Sequence, residues 1–235
     1  MRRIIVAACC TWLFASAAWA DMTTDTTAAE KERLSQAAAV LQARAETAEH
    51  EIPPGTAARA ACVIVIPSVK KAAFIVGGEF GKGVLTCRTD QGWSGPAFVQ
   101  LEKGSLGFQA GAEEIELVLL IMNRRGADRL LQDKVTLGAG MSVAAGPVGG
   151  TASAATDARL TAEILSYSRS RGAFIGADIS GGRLGPDADA NRNVYGTSHT
   201  AQDIISGRVE SPGDARDFIT AVQHEFGSTP SSASR

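Results

Sequence analysis

Two stretches constrain this chain more than any others, because each shows one apolar face and one almost bare face. In "GSLGFQAGAEE", Leu106, Phe108, Ala110 and Ala112 alternate with Ser105, Gly107, Gln109 and Gly111. In "LGAGMSVAAGPVGG", Leu137, Ala139, Met141, Val143 and Ala145 alternate with Gly138, Gly140, Ser142, Ala144 and Gly146. A period of two is strand geometry, with successive side chains on opposite faces. Glycine weakens a strand, so glycine repeated along one face implies close approach by another element. Two accounts fit: a helix or second sheet packed tightly there, or a shallow groove left for an acyl chain.

Other strands gather around this pair. "CVIVIP" is a β-branched run stopped by Pro67. "KAAFIV" reads as a strand up to Val76 and "VLTCR" as another from Val84, with "GGEFGKG" between them. That glycine-rich segment looks like a phosphate loop but lacks its chemistry. Gly77 precedes Gly81-Lys82 by too few positions, and Gly83 stands where a magnesium-binding Ser or Thr is needed. It reads instead as a hairpin loop. "AFVQL" (97–101), "IELVLLIMN" (115–123) and a hairpin over 162–180 turning at "SRSRG" continue the sheet. Helical patterns occupy 30–51, a short segment from Pro54 to Ala61, 124–133, 187–196, Thr200–Ser206 and Pro212–Phe226. The fold class expected is α+β: one antiparallel β core with Gly-rich strands, covered by N- and C-terminal helices. An N-terminal helical segment (21–56, its first residues polar and frayed) precedes the domain (57–227), and a disordered tail (228–235) follows it.

"MRRIIVAACCTWLFASAAWA" has two arginines, an apolar run and an A-x-A site. This is the anatomy of a secretory leader cleaved after Ala20. The mature chain then carries 21 of the 23 basic residues against 25 acidic ones, a net charge of −4. That balance offers no electrostatic footprint for nucleic acid. Export places the chain most simply in a bacterial periplasm, where the two remaining cysteines, Cys62 and Cys87, form a disulfide if their strands pair. Two thiols and three scattered histidines make no metal site. No nucleophile, base and orienting group occur together, so neither catalysis nor a cofactor is expected.

With these segments placed, "VIPSVKKAAFIVGGEFGKGVL", "GWSGPAFVQLEKGSLGFQAGAEEIELVLLIMN", "LGAGMSVAAGPVGG", "ILSYSRSRGAFIGADISGG" and "DADANRNVYG" together resemble the SYLF domain, also called the Ysc84 domain. The resemblance runs from about Ala57 to Gly196. It implies lipid recognition: eukaryotic members bind phosphoinositides, partly through a basic amphipathic N-terminal helix, and yeast relatives bind and bundle actin. The helix at 30–51 departs from that pattern, with Glu30, Glu32, Glu46, Glu49 and Glu51 against Lys31, Arg33 and Arg44 and a stripe made mostly of alanine.

The expected binding groups are therefore basic residues near strand ends. Arg169 and Arg171 in "SRSRG" lead, followed by Lys70, Lys71 and Lys82, which would hold anionic headgroups. Trp93 and Phe80 are the candidates for dipping into a membrane interface. The function expected is exported, non-catalytic binding of anionic phospholipids. The alternative is an envelope scaffold that binds protein partners without direct lipid contact.

Overall fold

The computed structural model describes residues 18–43, 52–73, 76–106, 111–148, 162–170 and 173–227. The body of the expected leader (1–17) and the C-terminal tail lie outside them. Helix α1 (Ala18–Gln42) is followed by a short α2 (Pro54–Arg59). Leu34, Ala37, Ala38 and Leu41 recur at helical spacing, and each is at most 6% exposed. The helix starts earlier than its composition implied: Asp21–Ala29, expected to fray, continue it toward Ala18.

The strands are β1 (Cys62–Ala73), β2 (Val76–Thr89), β3 (Gly92–Trp93), β4 (Ala97–Leu106), β5 (Gly111–Ile121), β6 (Val135–Thr136), β7 (Val143–Ala145), β8 (Ile164–Ser170), β9 (Ala173–Gly176) and β10 (Arg183–Pro186). They form one sheet in the order β6-β10-β4-β2-β1-β5-β8-β7, with β3 on β2 and β9 on β8. Every pairing is antiparallel except β7 with β8. Helices α3 (Arg124–Gln132), α4 (Ala188–Tyr195), α5 (Ala201–Ile205) and α6 (Arg216–Phe226) complete the fold. The expected mixed architecture, with helices at both termini, is the one observed.

Both faces of the sheet are covered. On one, Val63, Val65, Val84, Phe98, Val118, Leu120, Leu165 and Tyr167 pack with α1, with Ala190 of α4 and with Phe218 and Val222 of α6. On the other, Ile64, Ile66, Leu85, Val99, Leu117, Leu119 and Ile121 pack with Leu130 of α3 and with Ile204 and Ile205 of α5. Strands buried on both faces read as continuous apolar runs, which is why "CVIVI" and "ELVLLI" show no alternation.

Three local expectations need correction. Pro67 does not stop β1. The register of β1 with both neighbours skips there, between Val65 and Ser68 in its pairing with β2 and between Ile66 and Val69 in its pairing with β5. A proline without an N–H is accommodated at such a bulge. "GGEFGKG" is not a hairpin loop but the first half of β2, paired on both sides. Its glycines are needed by the bulge. A Cβ at Gly83 would lie 2.6 Å from Ile66 Cγ1 and 2.7 Å from the Val65 carbonyl oxygen, and one at Gly81 2.7 Å from Ile66 Cγ2. Finally, 137–146 is not one long strand. Leu137 bridges back to Met141 around Gly138, whose φ is +87°, and only Val143–Ala145 join the sheet. Of the two accounts of bare strand faces, tight packing holds at Gly146, which lies beneath the Tyr167 ring, and residues 107–110 of the other stretch lie outside the described residues.

Candidate functional site

The α1-covered face continues past the helix into a polar band, and three of the sequence-chosen cations share it. On β2, Phe80 and Lys82 alternate with glycines and have the same parity as the core residue Val84. Beyond the bulge, Lys70 stands directly opposite Phe80. Across β5 and β8, Glu116 faces Arg169, which has the parity of the core residue Tyr167. Registered residues in a sheet present their side chains to one face, so these groups line a single surface.

Their environments differ. Lys70 is exposed, and Phe80 is 44% exposed. Among the described residues only Phe80 and Ile175 are large apolar side chains left that open. Lys82 is half-exposed, and its Nζ donates to Asp187 at 3.1 Å. Arg169 is not available to a headgroup. It lies under the C-terminal part of α1 at 12% side-chain exposure, donates from Nη1 to the Val40 carbonyl at 3.1 Å and pairs with Glu116 at 3.4 Å. Its guanidinium also sits 5.8 Å from the Phe174 ring centroid. Arg171 and the side chain of Lys71 fall outside the described residues.

Trp93 is likewise a correction. It is 9% exposed, its Nε1 donates to the Gly227 carbonyl at 3.0 Å, and Phe226 meets its ring edge-on at 6.3 Å. Arg88 covers the ring at 4.5 Å. An indole held on all sides cannot reach a membrane, and Trp93 instead caps the end of α6. Arg88 and Arg124, also near strand ends, are structural. Arg88 donates to the carbonyls of Ala60, Phe226 and Gly227, and Arg124 to those of Arg88 and Ile205.

Sequence reasoning missed the charged node under α1. Asp187 caps α4, accepting from Ala190 N, and its Oδ2 also accepts from Arg33 Nη1 at 3.2 Å and from Lys82. Burial alone would push the Asp187 carboxyl up, but the hydrogen bonds from Lys82 and Ala190 and the charge of Arg33 hold it below its ordinary range. Asn191, one turn into α4, receives Phe98 N–H at 2.8 Å and returns its own amide to the Phe98 carbonyl. The "DADAN" segment therefore stitches α4 to β4 and, through Asp187, to α1 and β2. Asp178, outside this segment, accepts from Ser180 N.

Cys62 and Cys87 are exact partners in the β1–β2 register, with Cα atoms 3.9 Å apart and sulfurs at 2.08 Å. Among the described residues, no three His, Cys, Asp or Glu side chains are grouped to hold a metal ion, and no helix is long and apolar enough to cross a membrane.

This architecture matches known sequences. The family model described as "Ysc84: Las17-binding protein actin regulator" matches residues 102–225, more than half the chain. The chain belongs to the Ysc84 family. Relatives include LAS seventeen-binding protein 3 of Saccharomyces cerevisiae, 32% identical over 194 residues, covering 80% of this chain and 42% of the relative. Protein YSC84 of the same yeast is 34% identical over 181 residues, covering 75% and 38%. Human SH3 domain-containing YSC84-like protein 1 is 31% identical over 157 residues, covering 66% and 46%. The chain thus spans less than half the length of the Ysc84 relatives it matches, so their shared part is this domain.

Proposed function

We propose that this Ysc84-family chain is an exported, non-catalytic module that associates with anionic phospholipid surfaces, its leader removed after Ala20. The observation carrying this reading is the patch of Phe80 with Lys70 opposite it and Lys82 one pleat along. An exposed ring between two ammonium groups suits the boundary between headgroups and acyl chains. Cleavage after Ala20 removes only the first three residues of α1 and leaves its packed part in place.

The magnitudes make this a weak contact. Lys70 contributes about 1 kcal/mol at an anionic surface, Lys82 being engaged by Asp187. An aromatic side chain adds about 1.5–3 kcal/mol if fully buried, and Phe80 is already partly covered. The total is at most about 4 kcal/mol, near millimolar affinity for one copy. Binding should therefore rise steeply with anionic lipid density. A second reading, a protein-binding scaffold, is favoured by the name of one relative, LAS seventeen-binding protein 3.

Flotation with phosphatidylglycerol vesicles against phosphatidylcholine vesicles separates the two. The lipid reading expects recovery with the anionic vesicles only, lost at high salt, and reduced by Lys70→Glu and by Phe80→Ser. Absence of flotation at every salt concentration refutes it, and a crosslinked protein partner would then favour the scaffold.

A further inference from the structure

Among the described side chains of α1, Glu30 is the one whose burial has no explanation in packing. It is 3% exposed, and its Oε2 has no hydrogen-bond partner. The charged groups facing it come from three elements: Arg33 on its own helix, Lys82 on β2 and Asp187 at the start of α4. On the outer side of the same helix, Lys31 turns away to Asp214 at 3.2 Å. The node under α1 holds two cations and two carboxylates, but the cations are not shared evenly. Asp187 takes both Arg33 and Lys82. Glu30 receives no charged hydrogen bond, so in its ionised form it is a surplus negative charge in a dry site.

We propose that this node is a proton-dependent latch: the N-terminal half of the packed part of α1 stays docked while Glu30 carries its proton and loosens when the proton leaves. The far end of the helix is fixed independently, since Arg169 donates to the Val40 carbonyl. Loosening is therefore confined to the stretch around Glu30–Ala37, hinged on Val40.

The direction follows from the environment. Burial pushes Glu30 above its ordinary value of 4.5, and Asp187 adds to this, while a hydrogen bond from its own backbone amide and the charges of Arg33 and Lys82 pull the other way without cancelling it. A carboxyl raised in the docked state favours docking fully below 4.5 and ceases to do so as pH rises through the docked value. Asp187 has the opposite sign, because its lowered value preserves its charge until more acid conditions. The latch is thus tightest between the two. It depends on no lipid and stands whether or not the Phe80 patch meets a membrane.

Hydrogen exchange on the full mature chain tests it, with β5 peptides as internal reference. From about pH 4.5 up to the docked value, corrected protection over Glu30–Ala37 should fall by roughly tenfold per pH unit, and it should level off above that value. Protection around Val40 and Leu41 should hold. Glu30→Gln should show high, pH-independent protection. Protection that is flat with pH in the wild type, or that falls equally in Glu30→Gln, overturns the latch. If Glu30→Gln does not fold, carboxyl NMR of the wild type decides: titration of Glu30 above 4.5 supports the latch, and titration at or below 4.5 overturns it.

Discussion

Asp187 does more than any other side chain to join separate parts of this protein. It caps α4, neutralises Arg33 at the base of α1 and holds Lys82 on β2. Asp187→Ala leaves Arg33 buried without its carboxylate, which costs about 3–5 kcal/mol, the usual penalty for breaking one side of a buried pair. Denaturant unfolding at neutral pH measures it, and a loss below about 1 kcal/mol would mean that the node is solvated. Because the Asp187 carboxyl is held below its ordinary 3.8, its contribution is present above that value and disappears as pH falls through the lowered one. Gly83 offers a second check. Its missing Cβ would press on the Val65 carbonyl oxygen, a backbone atom that cannot turn aside. Gly83→Ala should cost about 1–3 kcal/mol, whereas Ala at exposed Gly104, with open space around it, should be nearly neutral. The sequence could not reveal either role. The partners of Asp187 lie 154 and 105 positions away, and the glycines of β2 looked like a loop because a bulge on the neighbouring strand is invisible to local pattern.

Elements were more legible than their boundaries. The strand and helix types of β4, β5, α3, β8–β9, α4 and α6 follow from periodicity and capping residues, including Asn123 at the start of α3 and Gly227 after α6. What failed was punctuation. Pro67 sits inside β1 and the glycines inside β2, because two long strands tolerate a bulge better than the loss of the six cross-strand pairs beyond it. Among the basic residues near strand ends, sequence could rank types but not depth. Arg169 is consumed by α1, and Arg88 by the carbonyls around Trp93. The cysteine pair was legible, since both residues stand on adjacent strands. With the two cysteines 25 positions apart, the bridge should be worth roughly 3–4 kcal/mol in the chain-entropy account. Replacing both by alanine should lower the unfolding free energy by about that much. Native protein should show no thiol to alkylating reagents until reduced, and two reactive thiols before reduction would count against the bridge.

The protein as a whole is a sheet covered on both faces. The family match begins inside β4 at residue 102, so α1 and the Lys70–Phe80–Lys82 patch lie N-terminal to it. A function built on that patch is therefore a property to be tested on this chain, and the exposed ring gives the means. Phe80→Trp places a reporter where contact is expected, while Trp93 stays buried as a constant background. With the mature protein and phosphatidylglycerol vesicles, the tryptophan emission should shift to the blue and be quenched by acyl-brominated lipid, and high salt should reverse both. Emission unchanged by anionic vesicles at low salt would contradict the account.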